Sequence, residues 1–203
     1  MTIEVFFDCS SPWSYLGFEG VQPLAAEFGV ALVWRPVLVG GIFNAVNSSV
    51  YHIRDQVPVK SAYNVKDLAD WSLNTGLAIT FPPPVFPVNS ARAMRLAILL
   101  ADEGLLVPFA LAIYRRYFGN GEDISDPAVL ADTLVAIGAA ADTLMAQSDT
   151  PEVRSQLRAN TEEAIERGAF GVPTFYLDGS DMYFGVDRLP NLRRALERRA
   201  KRL

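Results

Sequence analysis

Over the first 36 residues the spacing of apolar positions changes twice. Ile3 to Phe7 is a short apolar run of β-branched and aromatic side chains, closed by Asp8-Cys9-Ser10-Ser11-Pro12. It predicts a buried strand followed by a turn. From Pro12 to Phe28 the residues Tyr15, Leu16, Phe18, Val21, Leu24, Ala25 and Phe28 recur at helical spacing. Ser11 then stands at the N-cap, Pro12 at the first helical position, where its missing N–H costs nothing, and Gly29 at the C-terminal end. Val30 to Val33 with Trp34 predict a second strand, stopped by Pro36. Strand, helix and strand in this order form a βαβ unit with parallel pairing and a right-handed crossover.

Residues 37–60 break the pattern. Gly40-Gly41, Asn44, Asn47, Ser48-Ser49 and Pro58 predict a long loop, a kind of segment that is usually functional inside a compact domain. Lys60 to Asn74 reads as a helix and Pro82-Pro83-Pro84 as an extended linker. Asn89 caps an amphipathic helix (Ala91, Met94, Leu96, Ala97, Leu99, Leu100) expected to end at Gly104. Leu105 to Phe118, Asp126 to Ile137, Asp142 to Gln147 and Pro151 to Arg167 follow as helices, with Asp126 and Thr150 as N-caps. The period then returns to that of a strand at Thr174 to Leu177. Asp178-Gly179-Ser180-Asp181 is a hairpin turn, Met182 to Phe184 its second strand, and Asp187 to Leu203 a closing arginine-rich helix. The order is βαβ, a helical block, then ββα.

Composition narrows the chemistry. The chain has 203 residues, half of them hydrophobic and a fifth charged, enough for a real core without metal or disulfide staples. A net charge of −5 and a pI near 4.9 give no basic footprint for nucleic acid. One cysteine, Cys9, has no intramolecular disulfide partner, and with one histidine, His52, the usual Cys/His zinc sites are closed. No run has the length of a membrane span, and the N-terminus, carrying Glu4 and no basic region, does not read as a signal peptide. A cytoplasmic protein that binds neither membrane nor nucleic acid is the expectation.

Two motifs sit at element junctions. Asp8-Cys9-Ser10-Ser11-Pro12-Trp13-Ser14 joins the first strand to the first helix, where thioredoxin-like oxidoreductases carry C-x-x-C and the helix N-terminus stabilises a thiolate. Here the aligned positions are Ser11 and Ser14, so dithiol exchange is closed. What remains is a hydroxyl donor at a positive helix end, suited to holding another molecule's thiolate. Taken by itself the motif reads rather as an N-cap beside a prolyl turn. Gly168-Ala169-Phe170-Gly171-Val172-Pro173-Thr174-Phe175 matches the segment that enters the third strand of thioredoxin-like proteins with a cis peptide, here before Pro173. Both motifs occur in the right order at the right junctions. The fold class is therefore α/β, thioredoxin-like (βαβ…ββα), with an all-helical insertion. Residues 1–60 and 169–203 are expected to form the thioredoxin-like domain and 61–168 the insertion.

Ser11-Pro12-Trp13-Ser14-Tyr15-Leu16-Gly17-Phe18-Glu19, Arg35-Pro36 with Gly40-Gly41-Ile42-Phe43, Phe86-Pro87-Val88-Asn89 followed by Ala93-Met94-Arg95, Gly171-Val172-Pro173-Thr174 and Gly185-Val186-Asp187-Arg188 run end to end in one order. The chain resembles the 2-hydroxychromene-2-carboxylate isomerase and kappa-class glutathione transferase family, in the DsbA-like branch of thioredoxin folds. The resemblance implies glutathione as cofactor, a small aromatic substrate and a homodimer. It implies that Ser11 donates a hydrogen bond to the glutathione sulfur and that Val172 backbone groups pair with the cysteinyl unit. Phe184, Gly185, Val186 and Asp187 would hold the γ-glutamyl end, and Asn47 and Lys60 the glycyl end. Lys60 reads equally as a solvated helix start. Where the related isomerases place a lysine and an Asn-Arg pair, this chain has Phe43-Asn44 and Ile53-Arg54. Arg54 is left as the carboxylate anchor and the lysine role is unfilled. His52 stands beside it, although a lone loop histidine is more often only surface. Trp13, Phe43 and Phe86 are candidates for an aromatic wall, or plain core.

The activity so implied is cis–trans isomerisation of an aromatic α,β-unsaturated pyruvate by reversible thiolate addition. A kappa-type transferase or peroxidase is the alternative, and a silent glutathione-binding module a third reading. Cys9, small and apolar in character, is expected to pack under the turn and take no part in catalysis.

Overall fold

The computed structural model describes residues 1–201, apart from the side chain of Arg54. Strand β1 (Thr2–Phe7) leads into helix α1 (Pro12–Phe28) and strand β2 (Ala31–Pro36). Helices α2 (Val39–Val46), α3 (Ser49–Gln56), α4 (Pro58–Thr75), α5 (Ala91–Leu99), α6 (Leu106–Tyr114), α7 (Pro127–Ala136), α8 (Ala141–Gln147) and α9 (Pro151–Glu166) come next. Strands β3 (Thr174–Leu177) and β4 (Asp181–Phe184) form the hairpin, and a single 3₁₀ turn (Val186–Arg188) opens α10 (Leu189–Ala200). No helix of the described residues is long and apolar enough to cross a membrane.

The sheet has the order β2-β1-β3-β4. β1 and β2 run parallel from Thr2 beside Ala31 to Phe7 beside Pro36, while β3 is antiparallel to both β1 and β4. This is the thioredoxin arrangement, with the helical block inserted between β2 and β3. Side chains of α1 and α10 cover one part of the sheet: Val21 and Leu24 meet Ile3, Val5, Phe175, Leu192 and Leu196 in a buried cluster. On the other side of α1 an aromatic seam binds sheet to insertion. Phe18 stacks on Trp34 at 4.0 Å and Tyr15 on Tyr114 of α6 at 4.8 Å. Phe7, Cys9 and Met94 belong to the same cluster as Ile113 and Phe118. Apolar burial of this extent dominates the stabilisation, and the insertion shares one core with the strand that leads to Ser11.

The expected loop over 37–60 is instead α2, α3 and the first turn of α4. Val39, Ile42, Phe43 and Val46 already have helical spacing, but Gly40 and Gly41 inside the run read as a break. For Gly41 the reason is packing. A Cβ on Gly41 would stand 3.1 Å from the Thr161 methyl of α9, so glycine lets the two helices approach. Other boundaries moved by less. Helix α5 has Ser90 at its N-cap, with Asn89 Oδ1 accepting from Ala91 N–H at 3.0 Å, and ends at Leu99 and not at Gly104; α6 passes at Tyr114 into a π turn over Arg115–Gly119. Thr150 precedes α9 without a side-chain cap bond, whereas Asp126 Oδ1 accepts from Ala128 N–H at 2.8 Å. The final helix stops at Ala200; Arg202 and Leu203 lie outside the described residues. The Val172–Pro173 peptide is cis, as expected, and so are Phe81–Pro82 and Phe86–Pro87.

Candidate functional site

Ser11 ends the β1–α1 turn in an extended conformation, the geometry of an N-cap. Its Oγ accepts from the Ser14 N–H at 3.2 Å, so the hydroxyl proton is left to donate elsewhere. Pro12 supplies no N–H, and the first turn of α1 carries no acidic side chain. The positive end of a 17-residue helix is therefore uncompensated behind that hydroxyl. Ser14 is different. It is buried, and its Oγ accepts from Asp8 N–H at 3.4 Å. Of the two serines, only Ser11 keeps an edge to solvent, with 9% of its surface exposed.

Asp8, which the sequence singles out only as part of the turn, organises the ground beneath Ser11. Its Oδ1 accepts from Ser10 N–H and Ser10 Oγ, both at 2.9 Å, and its Oδ2 from Val39 N–H at the start of α2 at 2.8 Å. The Ser90 hydroxyl, at the start of α5, adds another bond. One carboxylate thus ties the Ser11 turn to the N-termini of two helices. Burial raises the Asp8 pKa, and the hydrogen bonds oppose that rise. An acid set between apolar Phe7 and Cys9 at a strand end is the signal that could have marked it. Cys9 is buried, with its N–H on Met94 Sδ at 3.3 Å. Burial, then the nearby Asp8 charge, push its thiol well above the ordinary cysteine range.

Facing the turn is the entry to β3. Pro173 packs on α1, where a Cβ on Gly17 would lie 2.6 Å from Pro173 Cγ. The neighbouring carbonyls are occupied. Gly171 O accepts from Thr174 Oγ1 at 2.8 Å and Pro173 O from Gly185 N–H at 2.9 Å. Between them the N–H and C=O of Val172, a residue 5% exposed, have no partner among the described residues. Buried backbone groups seldom stay unpaired. Phe184 lies over Gly171 and against Phe170, with ring centroids 4.3 Å apart, and Phe43 approaches Gly171 from α2. Asn47 closes this side: its Nδ2 donates to Phe170 O at 2.9 Å. Gly185 has φ +92°, and a Cβ there would meet Asp187 Oδ1 at 2.7 Å, so only glycine fits. Val186 is buried in a small cluster with Leu16 and Leu68, against which Trp13 packs.

The structure therefore brings Ser11, Trp13, Phe43, Asn47, Val172, Phe184, Gly185 and Val186 around the α1–β3 junction. Asp187 is exposed and pairs with Arg188 at 2.7 Å. Lys60 is exposed in the first turn of α4, and no described contact ties it to the junction. Phe86 stands edge-on to Phe81 and is partly exposed, and His52 is exposed on α3. The side chain of Arg54 lies outside the described residues. No group of three or more His, Cys, Asp or Glu among the described residues is arranged to hold a metal ion. These features fit a small thiol peptide. They offer a hydroxyl donor at a helix end, an unpaired amide and carbonyl, and a glycine turn beside them.

The chain is similar to known proteins over nearly its whole length. The sequence model of the DsbA-like thioredoxin domain matches residues 2–197. Glutathione S-transferase kappa 1 of Homo sapiens is 30% identical over 200 residues, covering 93% of this chain and 87% of that protein. The 2-hydroxychromene-2-carboxylate isomerase of Pseudomonas putida is 28% identical over 203 residues, covering 98% and 95%. A solved 2-hydroxychromene-2-carboxylate isomerase superposes with a TM-score of 0.89 at 25% identity, covering 100% of this chain and 97% of the other.

Proposed function

This chain belongs to the DsbA-like thioredoxin family, and we propose that it is a glutathione-dependent cis–trans isomerase. Its substrate would be an aromatic α,β-unsaturated pyruvate of the trans-o-hydroxybenzylidenepyruvate type, in equilibrium with a cyclic 2-hydroxychromene-2-carboxylate. The observation that carries this reading is the division of labour at Ser11. Its oxygen caps the helix while its proton stays available at a positive helix end. Bound glutathione would supply the sulfur that adds reversibly to the conjugated carbon, so that rotation occurs about a single bond before the sulfur leaves again.

The chain's own part is to bind and orient. Ser11 donates to the sulfur and, with the α1 terminus, favours thiolate over thiol. The unpaired Val172 amide and carbonyl take the cysteinyl backbone. Phe184, Gly185, Val186 and Asp187 hold the γ-glutamyl end, and Asn47 and Lys60 the glycyl end. Arg54 anchors the substrate carboxylate, with Trp13 and Phe43 as the aromatic wall. In our reading residues 1–60 and 169–203 form the domain carrying the thiol site and 61–168 the helical domain, and the protein works in the cytoplasm as a homodimer.

Similarity to the human kappa enzyme, whose name states transferase activity, favours a second reading. There the same thiolate is conjugated to an electrophile and is not released. Thiol accounting separates the two: during turnover an isomerase leaves total thiol constant, whereas a transferase consumes it. Ser11→Ala should lower turnover about a hundredfold, since losing one donor to a developing charge costs on the order of 3 kcal/mol. The lost cap should cost only about 1 kcal/mol of stability, so a folded and nearly inactive variant is the expected outcome. Near-normal turnover would leave Ser11 as a cap alone. Cys9→Ser, measured alongside, should retain activity that depends on added glutathione.

A further inference from the structure

Away from Ser11, the N-terminal ends of α5 and α9 and the turn containing Ser125 enclose a polar concavity of about 360 Å³. Three arginines and one carboxylate line it. Asp149 Oδ2 accepts from Arg92, and its Oδ1 accepts from Arg95 Nη2 at 2.8 Å and Arg154 Nη2 at 3.1 Å. The backbone O of Asp149 also accepts from Arg154 Nε at 3.0 Å. Among the lining side chains three guanidinium groups stand against one carboxylate, a local excess of two positive charges in a chain whose net charge is −5; Asp123, behind the wall, accepts from Ser125 N–H and Oγ at 2.8 and 2.6 Å.

A network built only to staple α5 to α9 would be expected to balance its charge, because unpaired guanidinium groups that share a cavity repel one another. This one does not. Arg95 is largely buried, with its side chain 12% exposed, and its Nε is shielded from solvent without an acceptor among the described residues. The first turn of α5, which carries no acidic side chain, adds its positive end, and Asn89 and Ser125 add polar atoms to the wall. We propose that this concavity is a binding site for a small multivalent anion, of the phosphate or dicarboxylate kind, distinct from the thiol site. Asp149 acts as a brace. By holding three long side chains in one geometry it removes most of the ordering cost that an anion would otherwise impose. Guanidinium groups fixed in this way present paired N–H donors to phosphoryl or carboxylate oxygens.

The test is titration calorimetry on the full chain, with inorganic phosphate and succinate added separately in chloride buffers of constant ionic strength. One saturable site per chain is expected for at least one of the two anions. Uptake of phosphate alone assigns the site to phosphoryl groups, uptake of succinate alone assigns it to dicarboxylates, and either supports the proposal. Arg154 is 56% exposed at the rim, so Arg154→Ala should fold normally and weaken binding roughly tenfold or more. Arg92→Ala is the second variant, and Ser11→Ala should leave anion binding unchanged. The proposal is overturned if neither anion binds saturably. It is equally overturned if binding survives both arginine substitutions in chains whose circular dichroism is native, or is lost with Ser11→Ala.

Discussion

Four residues at the β1–α1 junction divide the work between the proposed chemistry and its support. Ser11 presents a proton, Ser14 is locked inside, Cys9 is buried as a thiol, and Asp8 ties the turn to α2 and α5. Asp8→Asn tests that tie. An amide keeps one acceptor oxygen but places an NH₂ against backbone or hydroxyl donors, which should cost about 1–3 kcal/mol. Turnover should fall with it, because the Ser11 turn loses its anchor. The effect should also depend on pH. Burial raises the Asp8 pKa above its ordinary value of 3.8, so the folded chain binds this proton more readily than the unfolded one. The contribution of the carboxyl to stability is therefore greatest below 3.8 and declines as pH climbs through the raised value. Cys9 and Tyr114, its nearest titratable neighbours, are both pushed upward and stay neutral across this window. Since asparagine does not titrate, the destabilisation should be larger near about pH 4 than near about pH 7. Urea midpoints of both proteins at the two pH values measure it, and the opposite trend would sink the argument. Ser11 was legible because a cap and a proline announce a helix start locally. Asp8 was not, because Val39 and Ser90, which give it meaning, are remote in sequence.

At the scale of elements, what the sequence showed and what it hid follow one rule. Elements whose period is set by local burial were legible: β1, α1, β2 and the β3–β4 hairpin lie within one or two residues of their expected places. Elements whose residues answer to a distant partner were not. Gly41 in α2 serves α9 and, with Gly40, hides an apolar spacing that is helical, and α3 is a short, largely polar helix whose described residues reach only intermediate burial. Gly17 is the same case in the middle of α1, where it lets the helix sit on Pro173. Two effects compete in Gly17→Ala. Helix propensity favours alanine by up to about 1 kcal/mol. The added Cβ, however, would stand 2.6 Å from Pro173 Cγ and 3.2 Å from Phe175 Cζ. Overpacking of this kind costs about 1–3 kcal/mol, so the clash should win. The variant should melt at a lower temperature, and on the proposed function its affinity for glutathione should weaken because Val172 moves with Pro173. A melting point at or above that of the wild type would mean that the α1–β3 junction is softer than its packing indicates.

At the scale of the whole molecule, the proposed homodimer needs a surface, and α4 offers one. Val59, Tyr63 and Leu73 are 77%, 64% and 83% exposed, unusual values for large apolar side chains in a cluster. With Lys66 and Asp70 between them, the residues at 59, 63, 66, 70 and 73 keep the alternating spacing of four and three that places them along one helix face. Lys66 and Asp70 pair within the helix. The stripe is self-complementary about its middle. If two copies of α4 cross antiparallel on a twofold axis near Leu68, Tyr63 of each meets Leu73 of the other, and Lys66 of each meets Asp70 of the other. An interface of this isologous type closes on itself and does not propagate. Sedimentation equilibrium should therefore report a dimer. Leu73→Glu and Tyr63→Glu should shift it towards monomer with native circular dichroism, because neither side chain supports the fold of its own chain. A charge reversal adds a sharper arm. Lys66→Glu alone should weaken the dimer by setting carboxylates against one another, and adding Asp70→Lys should restore it. Exposed pairs contribute little singly, about 1 kcal/mol or less, so the apolar substitutions should have the larger effect. A monomeric wild type, or a dimer indifferent to Leu73→Glu, would remove α4 from the interface and leave its exposed stripe without this role.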